Sequence, residues 1–149
     1  MEDTIMNYVD LGLPSGTLWA TCNVGANKPE EYGVYYNFDD AQELGVELPT
    51  EKQIEELIGH TKSEWCEVNG VSGRRFIGPN GNSIFLPAAG FYDGDILIDD
   101  GSNGLYWSSS LVMEILDNAR FLYFSSRNVF RDYCNLYYGQ SVRPVKNKQ

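Results

Sequence analysis

The chain has 149 residues, 42% apolar and 13% aromatic, so we expect a single folded domain over residues 1–149 with a hydrophobic core. Its net charge of −10 comes without a basic patch or stripe, which argues against nucleic acid and anionic membrane surfaces as partners. The cysteine count of three is odd, which argues against a complete disulfide framework, and no Cys or His spacing predicts a metal or cofactor. Cys22 and Cys66 are expected to be buried thiols, and Cys134 to be the more exposed one.

No apolar run reaches the length of about 18 residues that a transmembrane helix needs, so direct membrane insertion is not expected. The N-terminal stretch, MEDTIMNYVDLG, is acidic and lacks the apolar centre of a signal peptide. The compartment stays open. The alternatives are retention in the cell, release as part of a particle, and a leader outside this sequence.

The first third of the chain predicts strands and a short helix. Tyr8–Leu13 reads as an opening strand, and Pro14–Gly16 as a turn. Alternation predicts a second strand over Thr17–Cys22. Asn27–Tyr32 has a proline and two glutamates at a helix start, which predicts one or two helical turns ended by Gly33.

Residues 50–59 predict the clearest helix. Thr50 and Gln53 have the spacing of a capping box, and Ile54 and Leu57 begin an apolar stripe. Gly59 is the expected stop.

The rest of the chain predicts strands. The Asn-Gly pair inside 78–81 predicts a hairpin between Arg74–Ile77 and Ser83–Leu86. Further strands are expected over Leu105–Ser109, Ala119–Phe124 and Gln140–Arg143. With few helices and many short strands, the predicted fold class is α+β with extensive loops.

One segment differs in composition from the rest. From Ile115 to Tyr138 there are 24 residues without Lys, Glu, Gln, Met or Trp. Those five types make up about a fifth of residues at ordinary usage. The segment is instead rich in Tyr, Phe, Arg, Asn and Asp, which is typical of a recognition surface.

Eight phrases, in order along nearly the whole chain, resemble the major paralogous domain of gut and rumen bacteria. That family is allied to the formylglycine-generating-enzyme type of C-type lectin fold. The phrases are Val9–Gly16 (VDLGLPSG), Leu18–Ala26 (LWATCNVGA), Pro29–Gly33 (PEEYG), Leu48–Thr50 (LPT), Gly78–Gly81 (GPNG), Ile84–Gly90 (IFLPAAG), Tyr106–Ser110 (YWSSS) and Gly139–Val145 (GQSVRPV). The resemblance implies an α+β C-type lectin fold with two short helices, small antiparallel sheets and extensive loops.

Some members of this fold are variable proteins of diversity-generating retroelements, in which error-prone reverse transcription randomises adenines of one gene segment. The altered residues decorate a ligand-binding face on a constant scaffold. Asparagine codons changed at adenines cannot give Lys, Glu, Gln, Met or Trp. Every residue from Ile115 to Tyr138 is reachable in this way, so the resemblance implies a variable segment at about 111–138.

We therefore predict a ligand-binding domain without catalytic residues, whose partner is a protein or glycan on another cell or virion. A cell-surface or virion location is favoured, and an oligomer is possible. Trp19, Trp107 and the closing 142–144 are expected to hold the scaffold. Asp132, Tyr133, Asn135 and Tyr137 are expected to be exposed. The predicted ligand-binding residues are Arg120, Tyr123, Arg127, Phe130, Asp132, Tyr133, Asn135 and Tyr137.

Other functions fit the sequence less well. A structural or adhesive surface module, pilus-like and without diversification, is the main alternative. An oxidase of the formylglycine-generating type needs a cysteine pair, and only Cys134 lies in the last third. A serine nucleophile in 107–110 would need the distant His60, and its serines are expected to bond the backbone instead. The acids of 93–100 read as solvated turn residues rather than a calcium site.

Overall fold

The computed structural model describes residues 6–147, and both ends of that range meet in one small sheet. β1 (Tyr8–Asp10), β2 (Leu18–Ala20) and β11 (Val145–Lys146) are antiparallel in the order β1-β2-β11. Trp19, in the central strand, is 1% exposed and packs in the core, as predicted for a scaffold residue.

Two short helices follow, and each begins at a side-chain cap. α1 (Phe38–Gln42) starts where the Asn37 side chain accepts the backbone N–H of Asp40 at 2.8 Å. α2 (Glu51–His60) starts at the predicted capping box, in which Thr50 and Gln53 exchange hydrogen bonds of 3.1 and 2.8 Å. The predicted helix is thus confirmed.

The end of α2 differs from the prediction by one residue. Gly59 lies inside the helix and is not among the residues with positive φ. The C-cap is Thr61, whose hydroxyl donates to the carbonyl of Leu57. A side-chain hydrogen bond therefore satisfies a free carbonyl that a glycine cap would otherwise serve.

The second sheet is a meander of β3 (Lys62–Val68), β4 (Val71–Ile77) and β5 (Ser83–Pro87). The predicted hairpin between β4 and β5 is confirmed, with Gly81 at φ 90° closing the turn onto the carbonyl of Gly78. A separate hairpin is formed by β6 (Phe91–Asp93) and β7 (Ile96–Ile98).

The third sheet holds the compositionally distinct segment. β8 (Gly104–Leu111), β9 (Asn118–Phe124) and β10 (Val129–Asn135) pair antiparallel in the order β10-β9-β8. Gly104 lies opposite Phe124, and a Cβ at Gly104 would stand 2.1 Å from an atom of the Phe124 ring. The glycine therefore makes room for this ring in the core.

The third sheet separates two hydrophobic clusters. Tyr106, Leu122 and Phe124 belong to the first cluster, together with the buried residues of α2 and of the second sheet. Trp107 and Phe121 belong to the second cluster, together with the buried residues of α1. Because successive side chains of a strand point to opposite faces, β8 and β9 supply both clusters at once.

The α+β fold class predicted from the sequence is wrong. Strands account for 43% of the structure and helices for 11%, with four small antiparallel sheets, so it is closer to all-β. The two helices, α1 and α2, are only 5 and 10 residues long. The prediction underestimated the strands because β3, β6, β7 and β10 are short or lack clear alternation.

Two predicted elements are also wrong. Asn27–Tyr32 forms turns rather than a helix, because Pro29 disfavours the helical conformation of Lys28. The Glu31 carboxylate closes the turn by accepting the backbone N–H groups of Asn27 and Lys28. The predicted strand Gln140–Arg143 makes isolated bridges only, and β11 follows Pro144 instead of ending at it. Neither helix among residues 6–147 has the length and apolar character needed to cross a membrane.

Candidate binding surface

Residues 111–138 form the outer part of the third sheet and the loops at its ends. They run from the last residue of β8 through β9, the turn 125–128 and β10. Among the described strands β10 pairs with β9 alone, which makes it the edge of its sheet. Core clusters pack against both faces of this sheet. Of the eight predicted binding residues, Arg120 and Tyr123 lie in the central strand β9, four lie in the edge strand β10, and Arg127 and Tyr137 lie in the loops beside them.

On the side of α2, charged groups attach the edge strand to the helix. The Arg131 guanidinium pairs with the carboxylates of Glu51 and Glu55. Arg120 lies 3.7 Å from Glu51, and its guanidinium stands 5.1 Å from the centre of the Tyr133 ring. Two predicted contact residues, Arg120 and Tyr133, are therefore brought together. Arg120 is held by the scaffold, although part-exposed pairs of this kind contribute at most about 1 kcal/mol each.

On the opposite side, Tyr123 and Phe130 face each other across β9 and β10, with ring centres 4.8 Å apart. Burial raises the pKa of Tyr123, and the charges of Asp99 and Asp132 raise it further. The Asp132 carboxylate also accepts the backbone N–H of Tyr133 at 2.8 Å. This group presents an aromatic pair beside a carboxylate.

Beyond the end of β10, Tyr137 is held by three contacts. Its ring stacks on Tyr138 with centres 4.4 Å apart, and its hydroxyl donates to the Asp93 carboxylate at 3.0 Å. Its backbone N–H donates to the Asn135 side chain at 3.1 Å. The hydrogen bonds with Tyr138 and Asp93 raise the pKa of Tyr137 above its ordinary value, so the hydroxyl stays protonated at neutral pH.

Arg127 lies apart from the other predicted residues, in the turn between β9 and β10. The Ser125 hydroxyl accepts the backbone N–H groups of Arg127 and Asn128, and Arg74 of β4 donates to the Ser125 carbonyl at 2.9 Å. The turn is thus anchored, while the Arg127 side chain is exposed and forms no ion pair with any of residues 6–147.

The exposure predicted for Tyr133, Asn135 and Tyr137 is confirmed: the two tyrosines are 43% and 55% exposed, and Asn135 is exposed as well. Phe130 is 42% exposed, whereas Asp132 is only partly exposed. Their role as ligand contacts stays a prediction. The eight residues fall into three groups and a lone turn residue, namely Arg120 with Tyr133, Tyr123 with Phe130 and Asp132, Asn135 with Tyr137, and Arg127.

Sequence reasoning missed a groove of about 590 Å³ next to Tyr137. We call it the tyrosine groove, because Tyr35, Tyr36, Tyr92 and Tyr137 line it. Three of these tyrosines, Tyr35, Tyr36 and Tyr92, lie outside the predicted variable segment. The pair at 35–36 was the available signal, but residues so distant in sequence meet only through the tertiary fold.

An exposed apolar loop was also missed. Leu111, Met113, Ile115 and Leu116, in and beside the loop after β8, are 50%, 87%, 37% and 87% exposed. Single exposed apolar side chains are ordinary, but four within six residues form a small exposed hydrophobic patch. The run LVMEIL in the sequence was its signal.

The three cysteines are free thiols, and each is only partly buried. The expectation that Cys22 and Cys66 are buried is therefore wrong in degree. Burial raises the pKa of Cys134 from 9.0 to about 12, an effect that the amide donor of Gln140 only partly opposes. A thiol so rarely ionised at neutral pH is a poor nucleophile.

The serines after Trp107 bond to the backbone, as predicted. Ser108 is buried and donates to the carbonyl of Arg120, while the Ser110 hydroxyl accepts the first N–H of α2, from Glu51. Trp107 is fully buried, as predicted for a scaffold residue, and its ring N–H donates to the carbonyl of Tyr36.

The four acids of 93–100 are exposed, and two of them engage neighbouring side chains. Asp93 accepts from Tyr137, and Asp99 accepts from the Asn103 amide at 2.9 Å. Within residues 6–147 no three His, Cys, Asp or Glu side chains stand close enough together to hold a metal ion.

Comparisons with protein-family models, with curated proteins and with solved structures find no match to this chain. The proposal below therefore depends on the sequence pattern and on the geometry just described.

Proposed function

We propose that this protein is a ligand-binding domain that displays a hypervariable surface at about 111–138 on a constant β scaffold. In this proposal a diversity-generating retroelement diversifies the codons of this surface. The ligand is a protein or glycan on another cell or virion. Recognition takes place by complementarity, without a chemical reaction.

One observation carries the proposal. Residues 115–138 contain only amino acids that asparagine codons can reach by changes at adenines. These 24 residues form β9, the edge strand β10 and the turns beside them. Their exposed members include Phe130, Tyr133, Asn135 and Tyr137, beside the aliphatic Ile115 and Leu116 at the start of the segment. Such side chains give large contact areas and adaptable hydrogen bonds.

The same segment also contains core positions, and these make the proposal testable. Ala119, Phe121, Leu122 and Phe124 are all at most 4% exposed. A mechanism that diversifies a binding surface must spare them, because polar replacements there would leave unpaired groups in the core at a cost of several kcal/mol.

The experiment is to sequence the DNA that flanks the gene. We expect a template repeat nearly identical to codons 111–138, differing from them at adenines. The differences should fall at codons of exposed residues, such as Arg127, Phe130, Tyr133 and Tyr137. They should be absent from the codons of the four buried residues.

Two outcomes would overturn the proposal. Without a template repeat, the structural or adhesive surface module becomes the better interpretation. A repeat whose differences fall equally at buried and exposed codons would contradict a selected binding surface.

A further inference from the structure

The tyrosine groove has a floor that is fixed by backbone pairing. Gly139 exchanges two hydrogen bonds with Tyr92, of 2.8 and 3.0 Å, and Gln140 exchanges two with Tyr36, both of 2.9 Å. The segment 139–140 thus runs between the two tyrosines and holds them apart at a set distance. Gly139 and Gly94 line the groove without side chains, which leaves it open.

The rings that line the groove are fixed as well. Tyr35 and Tyr92 meet edge to face with centres 4.9 Å apart, and the Tyr35 hydroxyl donates to the carbonyl of Ala89 at 2.6 Å. Tyr137 is anchored by its bond to Asp93. A groove with rings held in place loses little side-chain entropy when a ligand binds, which favours affinity.

The charge of the groove is of one sign. Asp40 is in its lining, Asp93 touches its Tyr137, and the lining includes no Lys, Arg or His. All ion pairs within residues 6–147 join Arg120 or Arg131 to Glu51 or Glu55, so neither aspartate has a cationic partner there. The groove therefore combines aromatic rings with one carboxylate in its lining and a second beside it, neither paired with a cation among residues 6–147.

We propose that the tyrosine groove binds an arginine side chain presented by an extended segment of the partner protein. A guanidinium stacks on aromatic rings and donates hydrogen bonds to carboxylates. Tyr92, Tyr137 and Asp40 line the groove, and Asp93 adjoins it through its bond with Tyr137. The volume of about 590 Å³ exceeds what one side chain fills, leaving room for adjoining backbone of the partner.

This inference names a partner class for the proposed binding function and rests on that function. It combines a constant part, Tyr35, Tyr36, Tyr92 and Asp40, with one residue of the variable segment, Tyr137. Diversification at 137 would then tune a site whose cation preference is built into the scaffold.

The test is a titration of the ¹⁵N-labelled protein with N-acetyl-arginine methylamide, followed by backbone amide chemical shifts. N-acetyl-citrulline methylamide, which has nearly the same shape without the charge, is the control ligand. We expect saturable shifts at Gly94, Gly139 and Tyr92 with a Kd on the order of a millimolar for the arginine probe, and none for citrulline.

Variants of residues in and beside the groove test whether the arginine probe binds there. Asp40→Asn and Asp93→Asn should each weaken binding by about three- to tenfold, and Tyr137→Leu by a similar factor. Asp39→Asn, next to Asp40 in the same helix turn but outside the groove lining, should leave the Kd within about twofold. Thermal unfolding of each variant shows whether it remains folded.

Equal shifts with citrulline, shifts only outside the groove, or an equal loss in Asp39→Asn would overturn the inference. Such a failure would leave the proposed display function standing, because the template repeat is sought in DNA and needs no ligand. Conversely, absence of the repeat would not alter the response to the arginine probe.

Discussion

Among single residues, Arg143 is a cation buried in the core. It is fully buried, and its guanidinium donates to the Asn23 side chain at 2.9 Å and to the carbonyls of Ala20 and Phe85 at 3.1 and 2.8 Å. Burial lowers its pKa to about 10, which still leaves it protonated at neutral pH. Asn23 in turn donates to the hydroxyl of Tyr106 at 3.2 Å, so one cation organises polar groups from several distant segments.

Replacing this cation should cost much of the stability. Arg143→Met keeps a long apolar stem but leaves three buried acceptors without a donor, each costing about 1–3 kcal/mol. We expect the free energy of unfolding to fall by about 3 kcal/mol or more, measured by urea denaturation with tryptophan fluorescence. Arg127→Met, in the exposed turn, is the control and should stay within about 0.5 kcal/mol.

If Arg143→Met does not fold, Arg143→Lys retains the charge with fewer donors and should still be clearly less stable than wild type. A loss below about 1 kcal/mol in either variant would show that the network does not hold the fold.

Among the elements, α2 fixes the position of the edge strand β10. α2 packs against β8, β9 and β10, and its Glu51 and Glu55 pair with Arg131 on the edge strand. An unpaired strand edge readily pairs with another chain, and charges along it, here Arg131 and Asp132, discourage this. Side chains of β10, rather than its backbone, are thus suited to recognition.

The capping box at the start of α2 is expected to stabilise this helix. Thr50→Ala removes the acceptor for the Gln53 N–H, so we expect a loss of about 1 kcal/mol in the free energy of unfolding. The same urea titration measures it. Lys52→Ala, two residues along and exposed, is the control, expected to change stability by less than about 0.5 kcal/mol. Equal losses in the two variants would mean that the cap is not a determinant of helix stability.

For the whole molecule, we expect the free energy of unfolding to fall at alkaline pH, because buried groups hold their protons more tightly in the folded state. The pKa of Cys134 is about 12 in the folded state against 9.0 ordinarily. Since the folded state holds this proton more tightly, stability is complete below about pH 9 and is lost progressively as the pH rises toward 12. Burial raises the pKa values of Tyr35 and Tyr106 in the same direction.

Cys134→Ala isolates the contribution of the thiol, because both tyrosines are present in the variant and in wild type. We expect the Tm of wild type to fall more steeply than that of Cys134→Ala between about pH 9 and pH 11 in thermal scans. Comparison at pH 7 corrects for the lost packing of the sulfur. Parallel curves would contradict a buried thiol with a raised pKa.

The elements that were predicted correctly depend on residues close together in sequence. They are the capping box of α2, the hairpin at Gly81 and the strand Ala119–Phe124. The turns at Asn27–Tyr32 were mistaken for a helix because Pro29 was taken as a helix start, whereas its ring disfavours the helical conformation of Lys28 before it. β10 was missed because its residues do not alternate in polarity, since both of its sides are partly covered.

The amino-acid sequence alone determined the alphabet of residues 115–138, the buried tryptophans and the exposure of Tyr133, Asn135 and Tyr137. These follow from local composition and from side-chain hydrophobicity. Only the tertiary structure decided that the segment forms the central and edge strands of a sheet packed on both faces, that the protein is mostly β, and that Tyr35, Tyr92 and Tyr137 share a groove. The reason is physical: pairing between strands far apart in sequence depends on the packing of the whole chain, which no local pattern encodes.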